Sequence, residues 1–306
     1  MINVLATPER EGNSIAVMLA CKLRYALLFV LFLPLKTLGQ ENLTDSLQPM
    51  LLEASQLYAL QFADIHASYD FFKDHQEIKG WRGFPYKDGN NYKVVFYLPG
   101  KFPRVFGTVT YDEYCNANTI DIDRTARHFT RKEKRIYHMV IKTEERVLGD
   151  TSFKSIDSSY AVLTPLVMKN LRKVYLTYRS VNQDEMIFGN DCAVEFNTKN
   201  EITTINRLHA THYHHQIIKT TNTDEPIFGI HFHENETKHG FSTTDIALIL
   251  LCEPMCHWSE FVLDDDQDIF FFNLKEFAIT KWTKTAFKRE YDNKPYHGKM
   301  LLTPTL

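Results

Sequence analysis

The amino-acid sequence predicts an α+β protein: an N-terminal helix-plus-strands region followed by a mixed sheet with flanking helices. Three observations carry that expectation. Residues 43–79 space their apolar side chains as a helix does, and most of the remainder consists of short β-branched and aromatic runs broken by Gly, Pro, Asn and Asp. In addition, Thr130 and Ser242 each stand three positions before an acid at the head of a helical pattern. With 306 residues the chain has room for one large or two modest domains and enough apolar side chains to fill their cores.

Taken in order, Leu43 to Lys79 reads as one or two helices stopped by Gly80, and "YKVVFYLPG" and "RVFGTVTY" read as strands. "FTRKEKRIYHMVIKTEERVLGD" opens on the Thr130/Glu133 capping box and closes near Gly149, a helix of about four turns. The polar stretch "TSFKSIDSSY" then divides an N-terminal α+β region, 40–150, from a C-terminal domain, 151–306. That domain reads as a short helix in "TPLVMKNLRK" and strands in "KVYLTYR", "IFGNDCAVEFN", "EITTINRL" and "PIFGIHFH". A helix in "TTDIALILL" and strands in "EFVLDDD", "DIFFFNL" and "EFAITKW" complete it.

Composition narrows the function classes. A net charge of −3 and the absence of any long like-charge block leave no basic field for nucleic acid. Lys22 and Arg24 precede the apolar run "YALLFVLFLPL", and Gly39 follows it. That run is short for a membrane span and has the flanks of a secretory signal, so the expectation is an exported protein, periplasmic, cell-surface or secreted, whose mature form begins near Gln40 and does not span a membrane. A retained N-terminal anchor is the alternative, and Met18 makes a more ordinary start than Met1. Beyond residue 39 only Cys115, Cys192, Cys252 and Cys256 remain, too few for a disulfide scaffold; Cys252 and Cys256 read as buried thiols or a local disulfide ahead of a metal clip.

The stretch "HFHENETKHGFSTTD", from His231 to Asp245, carries the chemistry. On a strand, His231 and His233 share a face about 6.5–7 Å apart at Cα, near enough to reach one zinc ion. Asp245, in the first turn of the next helix, supplies a carboxylate, and Ser242 stands where a hydroxyl can hold an oxyanion. The plainer reading of Ser242 and Asp245 is a capping box with no metal.

His-x-His, a short loop and Ser-x-x-Asp at a helix start, followed by two more strands, resemble the JAB/MPN (JAMM) metallopeptidase-like family. The resemblance rests on "GIHFH" and "FSTTDIALILL" and covers about residues 163–282. It implies a JAB/MPN-like domain in which His231, His233 and Asp245 bind zinc and Ser242 stabilises the oxyanion. It also implies an upstream glutamate as general acid/base, Glu195 first and Glu185 second, and a protein or peptide substrate cut at an amide or isopeptide bond. Two features depart from the family pattern: eight residues separate His233 from Ser242, one more than usual, and Glu234 stands where a proline is common. Two other readings stay open, a catalytically inactive JAMM-like interaction module and a histidine-rich metal-binding protein. The latter draws on "HATHYHHQ", with His209, His212, His214 and His215, together with His239 and His257, although an ordinary polar loop is favoured for that stretch.

Overall fold

The computed structural model describes residues 40–73, 79–115, 119–150, 153, 155–217, 227–233, 240–291 and 299–300. The apolar run 25–35, the Gly39 boundary of the expected signal and the loop 234–239 lie outside them. Among the described residues no helix is long and apolar enough to cross a membrane.

The fold is α+β. Strand β1 (Gln40–Asn42) leads into helix α1 (Thr44–Phe72), then strands β2 (Arg82–Asp88), β3 (Asn91–Leu98), β4 (Arg104–Tyr111) and β5 (Asp121–Asp123) and helix α2 (Arg131–Thr143). Strands β6 (Ser159–Val167), β7 (Arg172–Ser180), β8 (Glu185–Gly189), β9 (Cys192–Phe196), β10 (Ile202–Arg207), β11 (His212–Gln216) and β12 (Ile227–His233) follow. Helix α3 (Thr243–Cys256), strands β13 (Trp258–Asp265), β14 (Asp268–Asn273) and β15 (Ala278–Thr283), helix α4 (Lys284–Tyr291) and strand β16 (Lys299–Met300) complete the order.

The strands form a six-stranded sheet in the order β1-β15-β14-β13-β12-β16, four-stranded sheets β10-β9-β7-β6 and β2-β3-β4-β5, and the pair β11-β8. The six-stranded sheet is mixed, because β12 runs parallel to β13 and β16 while the other pairings are antiparallel. A parallel β12–β13 pair requires a crossover, and α3 supplies it.

Helix α1 explains much of the packing. Its 29 residues extend about 44 Å at 1.5 Å per residue. Leu51 and Ala54 near its start join a core with Ile246 and Ile249 of α3 and Phe261, Leu263 and Phe272 of the mixed sheet. Further on, Leu57, Leu60, Ala63, Ala67 and Phe71 join a second core with Val94, Phe96, Val109, Tyr175 and Ala193. The recurrence of these residues every three or four positions puts them on one stripe, and burying each large side chain contributes about 1.5–3 kcal/mol. Helix α2 starts as its sequence implies: the Thr130 hydroxyl accepts from the Glu133 N–H, and the Glu133 carboxylate accepts from the Thr130 N–H.

Three local expectations change. "TPLVMKNLRK" is not a helix but the end of β6, a tight turn in which Met168 and Leu171 exchange backbone hydrogen bonds, and the start of β7. Pro165 sits comfortably in β6 because that strand is at a sheet edge. "IFGNDCAVEFN" is two strands, not one, because Gly189 and Asn190 adopt φ of 87° and 50° and turn the chain from one sheet to another. Finally, 212–216 of the histidine-rich stretch form β11, paired with β8. All four described cysteines are free thiols.

Candidate metal centre

Strand alternation places the side chains that matter. In β12, Ile230 is buried with Val262 and Trp282 on one face and Phe232 is exposed beside it, while His231 and His233 are buried on the other face. Gly229 lets this strand lie close to its neighbour, since a Cβ there would stand 2.3 Å from the Phe261 ring. The first turn of the crossover helix brings in Asp245, the third residue of α3. Ser242 caps that helix: its hydroxyl accepts from the Asp245 N–H at 3.1 Å, and Asp245 Oδ2 accepts from the Ser242 N–H at 2.8 Å.

The second imidazole comes from elsewhere. His209, in the connection between β10 and β11, is buried beside His233, with ring centroids 4.8 Å apart. Its Nε2 lies 3.3 Å from Asp245 Oδ2, and His233 Nε2 lies 3.8 Å from the same oxygen. One ligand atom from each of His209, His233 and Asp245 falls within 4.8 Å of the others, so the group can hold a metal ion. A tetrahedral zinc site with bonds of about 2.0–2.1 Å has ligand atoms roughly 3.3–3.4 Å apart, which these residues approach as they stand.

His209 Nδ1 is 2.7 Å from Asp191 Oδ1, both residues being buried. Burial by itself would lower the pKa of His209, but Asp245 and Asp191 together hold it well above the ordinary imidazole value. Burial by itself would raise Asp245, and the neighbouring histidines, His209 foremost, outweigh it and hold the carboxyl well below the usual range. Asp191 and Asp245 thus face the two nitrogens of one imidazole from opposite sides.

His231 adjoins this group without joining it. Its ring stacks on Phe188 at 4.6 Å and stands edge-on to Tyr213, His215 and His233 at 5.3, 5.6 and 5.0 Å. Burial pushes its pKa well down and that of His215 to about 4, so both rings are neutral near pH 7. Ser242 Oγ is engaged by the Asp245 N–H and by Thr244 Oγ1, 2.8 Å away. Glu195, on β9, faces Lys173 Nζ at 3.5 Å and accepts from Asn206 at 3.3 Å. Glu185 accepts from Ser180 at 2.6 Å and lies 3.0 Å from His214. Cys252 and Cys256 are buried in α3, where desolvation raises both thiols, Cys256 to about 12.

Of the residues chosen from sequence, the structure therefore brings His233 and Asp245 together, sets His231 and Ser242 alongside, and commits Glu195 to Lys173 and Asn206. His209 was visible only as a member of a histidine-dense stretch. Asp191 gave no signal of its own, being hidden in a run that read as uninterrupted strand. Compared with protein-family models and with curated proteins, the chain matches none.

Proposed function

We propose that this chain is an exported JAMM-like zinc-dependent hydrolase that cleaves amide bonds in proteins or peptides, with zinc held by His209, His233 and Asp245, so that His209 takes the ligand place that the resemblance gives to His231. The observation that carries the reading is the convergence of His209 Nε2 and His233 Nε2 on Asp245 Oδ2 at 3.3 and 3.8 Å within a buried cluster. Two imidazoles and a carboxylate suit zinc better than the hard cations, which take oxygen donors. When bound, the ion would polarise a scissile carbonyl and activate water.

The chain's own residues complete the site. Asp245 would join ligand and helix start in one side chain, which would fix the first turn of α3 relative to a bound ion. Tyr175, hydrogen-bonded to Glu53, also hydrogen-bonds Thr243 at the start of the same helix. Ser242, whose hydroxyl lies at that helix start, is the candidate oxyanion donor, and Glu195 is the carboxylate that the JAMM resemblance offers as proton carrier, a role it could fill only on leaving Lys173 and Asn206. An export signal within residues 1–39, with Met18 the more ordinary start, would place this chemistry outside the cytoplasm, and N-terminal sequencing of the mature protein tests that point: a start near Gln40 supports it, retention of residues 20–35 opposes it.

A second reading has its own observation. The capping box and the Asp191–His209–Asp245 chain of charge-assisted contacts close on themselves and would stabilise a non-catalytic interaction module with no metal. Metal content after purification under zinc-replete conditions separates the two. One zinc per chain, lost in His209→Ala and His233→Ala, together with peptide or isopeptide cleavage that Glu195→Gln abolishes, supports the hydrolase. Zinc without any cleavage leaves a metal-binding protein, and a folded protein without zinc leaves the module.

A further inference from the structure

We propose that Asp191 is a positioning residue for the metal centre: it holds His209 with Nδ1–H directed at its carboxylate, so that Nε2 is the atom presented to the ion. The inference rests on the zinc reading above, and it replaces the adjacent His-x-His pair as the source of both imidazoles. A metal-bound histidine normally donates its other ring N–H to a carboxylate or carbonyl, which sets the tautomer and fixes the ring plane. The 2.7 Å Nδ1–Oδ1 contact has that form, and on the far side of the ring Nε2 points at Asp245. His231 has a different environment: its ring is stacked on Phe188 and bounded by Tyr213 and His215.

The backbone around Asp191 is built to hold this geometry. Gly189 and Asn190 are consecutive left-handed residues, and the turn they make aims Asp191 back toward the β10–β11 connection. Three hydrogen bonds tie the two segments together, and a fourth, from Arg207 to His209 O, braces the loop within itself. The Asn190 N–H donates to Thr211 O at 2.7 Å, and the Leu208 N–H donates to Asp191 O at 3.0 Å. Arg207 donates to the Asn190 side-chain oxygen at 3.1 Å and to His209 O at 3.2 Å. The turn bearing the carboxylate and the loop bearing the imidazole are thus tied directly to each other.

The test uses the mature chain stripped of metal and titrated with zinc ions against a competing chelator, alongside thermal unfolding. Asp191→Asn, nearly isosteric, is expected to weaken zinc binding by roughly 10–100-fold. His209→Ala should lose the site. A role in folding alone would lower the melting temperature of Asp191→Asn and leave its zinc affinity at the wild-type value, and that result overturns the proposal while the zinc reading stands. A wild type that binds no zinc removes both. Imidazole nitrogen NMR on the zinc-loaded wild type gives a readout that needs no variant to fold: His209 must coordinate through Nε2 and carry a slowly exchanging Nδ1 proton. Coordination through Nδ1, or a zinc-bound His231 in place of His209, sinks the assignment.

Discussion

Replacing Gly189 by alanine tests whether the turn before Asp191 is built as described. The residue has φ of 87°, a region where a Cβ costs about 1–2 kcal/mol. A Cβ there would also stand 2.2 Å from the Thr211 carbonyl oxygen, which is backbone and has no rotamer to change. That oxygen accepts from the Asn190 N–H, so relieving the clash stretches a hydrogen bond with a net contribution of about 0.5–1.5 kcal/mol. Reduced freedom of the unfolded chain returns about 0.4–1 kcal/mol, leaving a net loss of about 0.5–3 kcal/mol. Gly89 is the control, because it has φ of 63° but nothing within 4 Å of its Cβ position. Urea unfolding of Gly189→Ala and Gly89→Ala, side by side without metal, measures the difference. The first should be the more destabilised and should also bind zinc more weakly, since its turn carries Asp191. Equal midpoints for the two variants, or a Gly189→Ala chain as stable as wild type, would refute the close approach of 189–190 to 211.

Further outcomes are expected of the same material. In metal-free protein, His209 has a raised folded pKa, so its contribution is complete below the unfolded value of about 6.5 and is lost as pH rises through the folded value; Asp245 has a lowered one, so its contribution is present above about 4 and is lost as pH falls through the folded value. Urea midpoints should therefore peak near neutral pH. They fall on the acid side first as the unfolded chain protonates the histidines buried neutral, His231 and His215, below about 6.5, and then through Asp245; they fall on the alkaline side through His209, a decline that His209→Gln should remove. Zinc displaces the His209 proton, so its affinity should rise with pH, measured by titration in two or more buffers; affinity that falls from pH 6 to 8 contradicts the ligand set. Ser242→Ala should cost about 0.5–2 kcal/mol as a lost cap and retain zinc, with turnover reduced roughly 10²–10³-fold if the hydroxyl serves an oxyanion. Asp245→Ala should lose both cap and metal; retention of stoichiometric zinc would exclude it as a ligand.

The parts of the site that were legible in sequence are those set by local periodicity. Alternation alone puts His231 and His233 on one face, and the three-residue spacing of Ser242 and Asp245 alone gives the capping box found in α3. The segment 164–173 misled because Leu163, Leu166 and Val167 have helical spacing, whereas pairing with β7 and the 168–171 turn decide the outcome. His209 was beyond local reasoning. It meets His233 only because β8 and β9, which read as one strand, part at Gly189 and because β11 then pairs with β8. Both are long-range consequences of a turn that two adjacent residues make possible.

Asp245 Oδ2 accepts the helix-capping hydrogen bond and also faces both imidazoles. Under the metal-centre reading, selection on such a side chain would come from two sources. A lineage that ceased to bind an ion would still be penalised for changing Ser242 or Asp245, because the first turn of α3 would fray, whereas His233, which takes no part in the cap, would lose that one constraint. Among descendants, the Ser-x-x-Asp signature would therefore outlive the activity that it is used to diagnose. His233, rather than Asp245 or the Asp191-bound His209, would then be the position whose loss dates the abandonment of an ion.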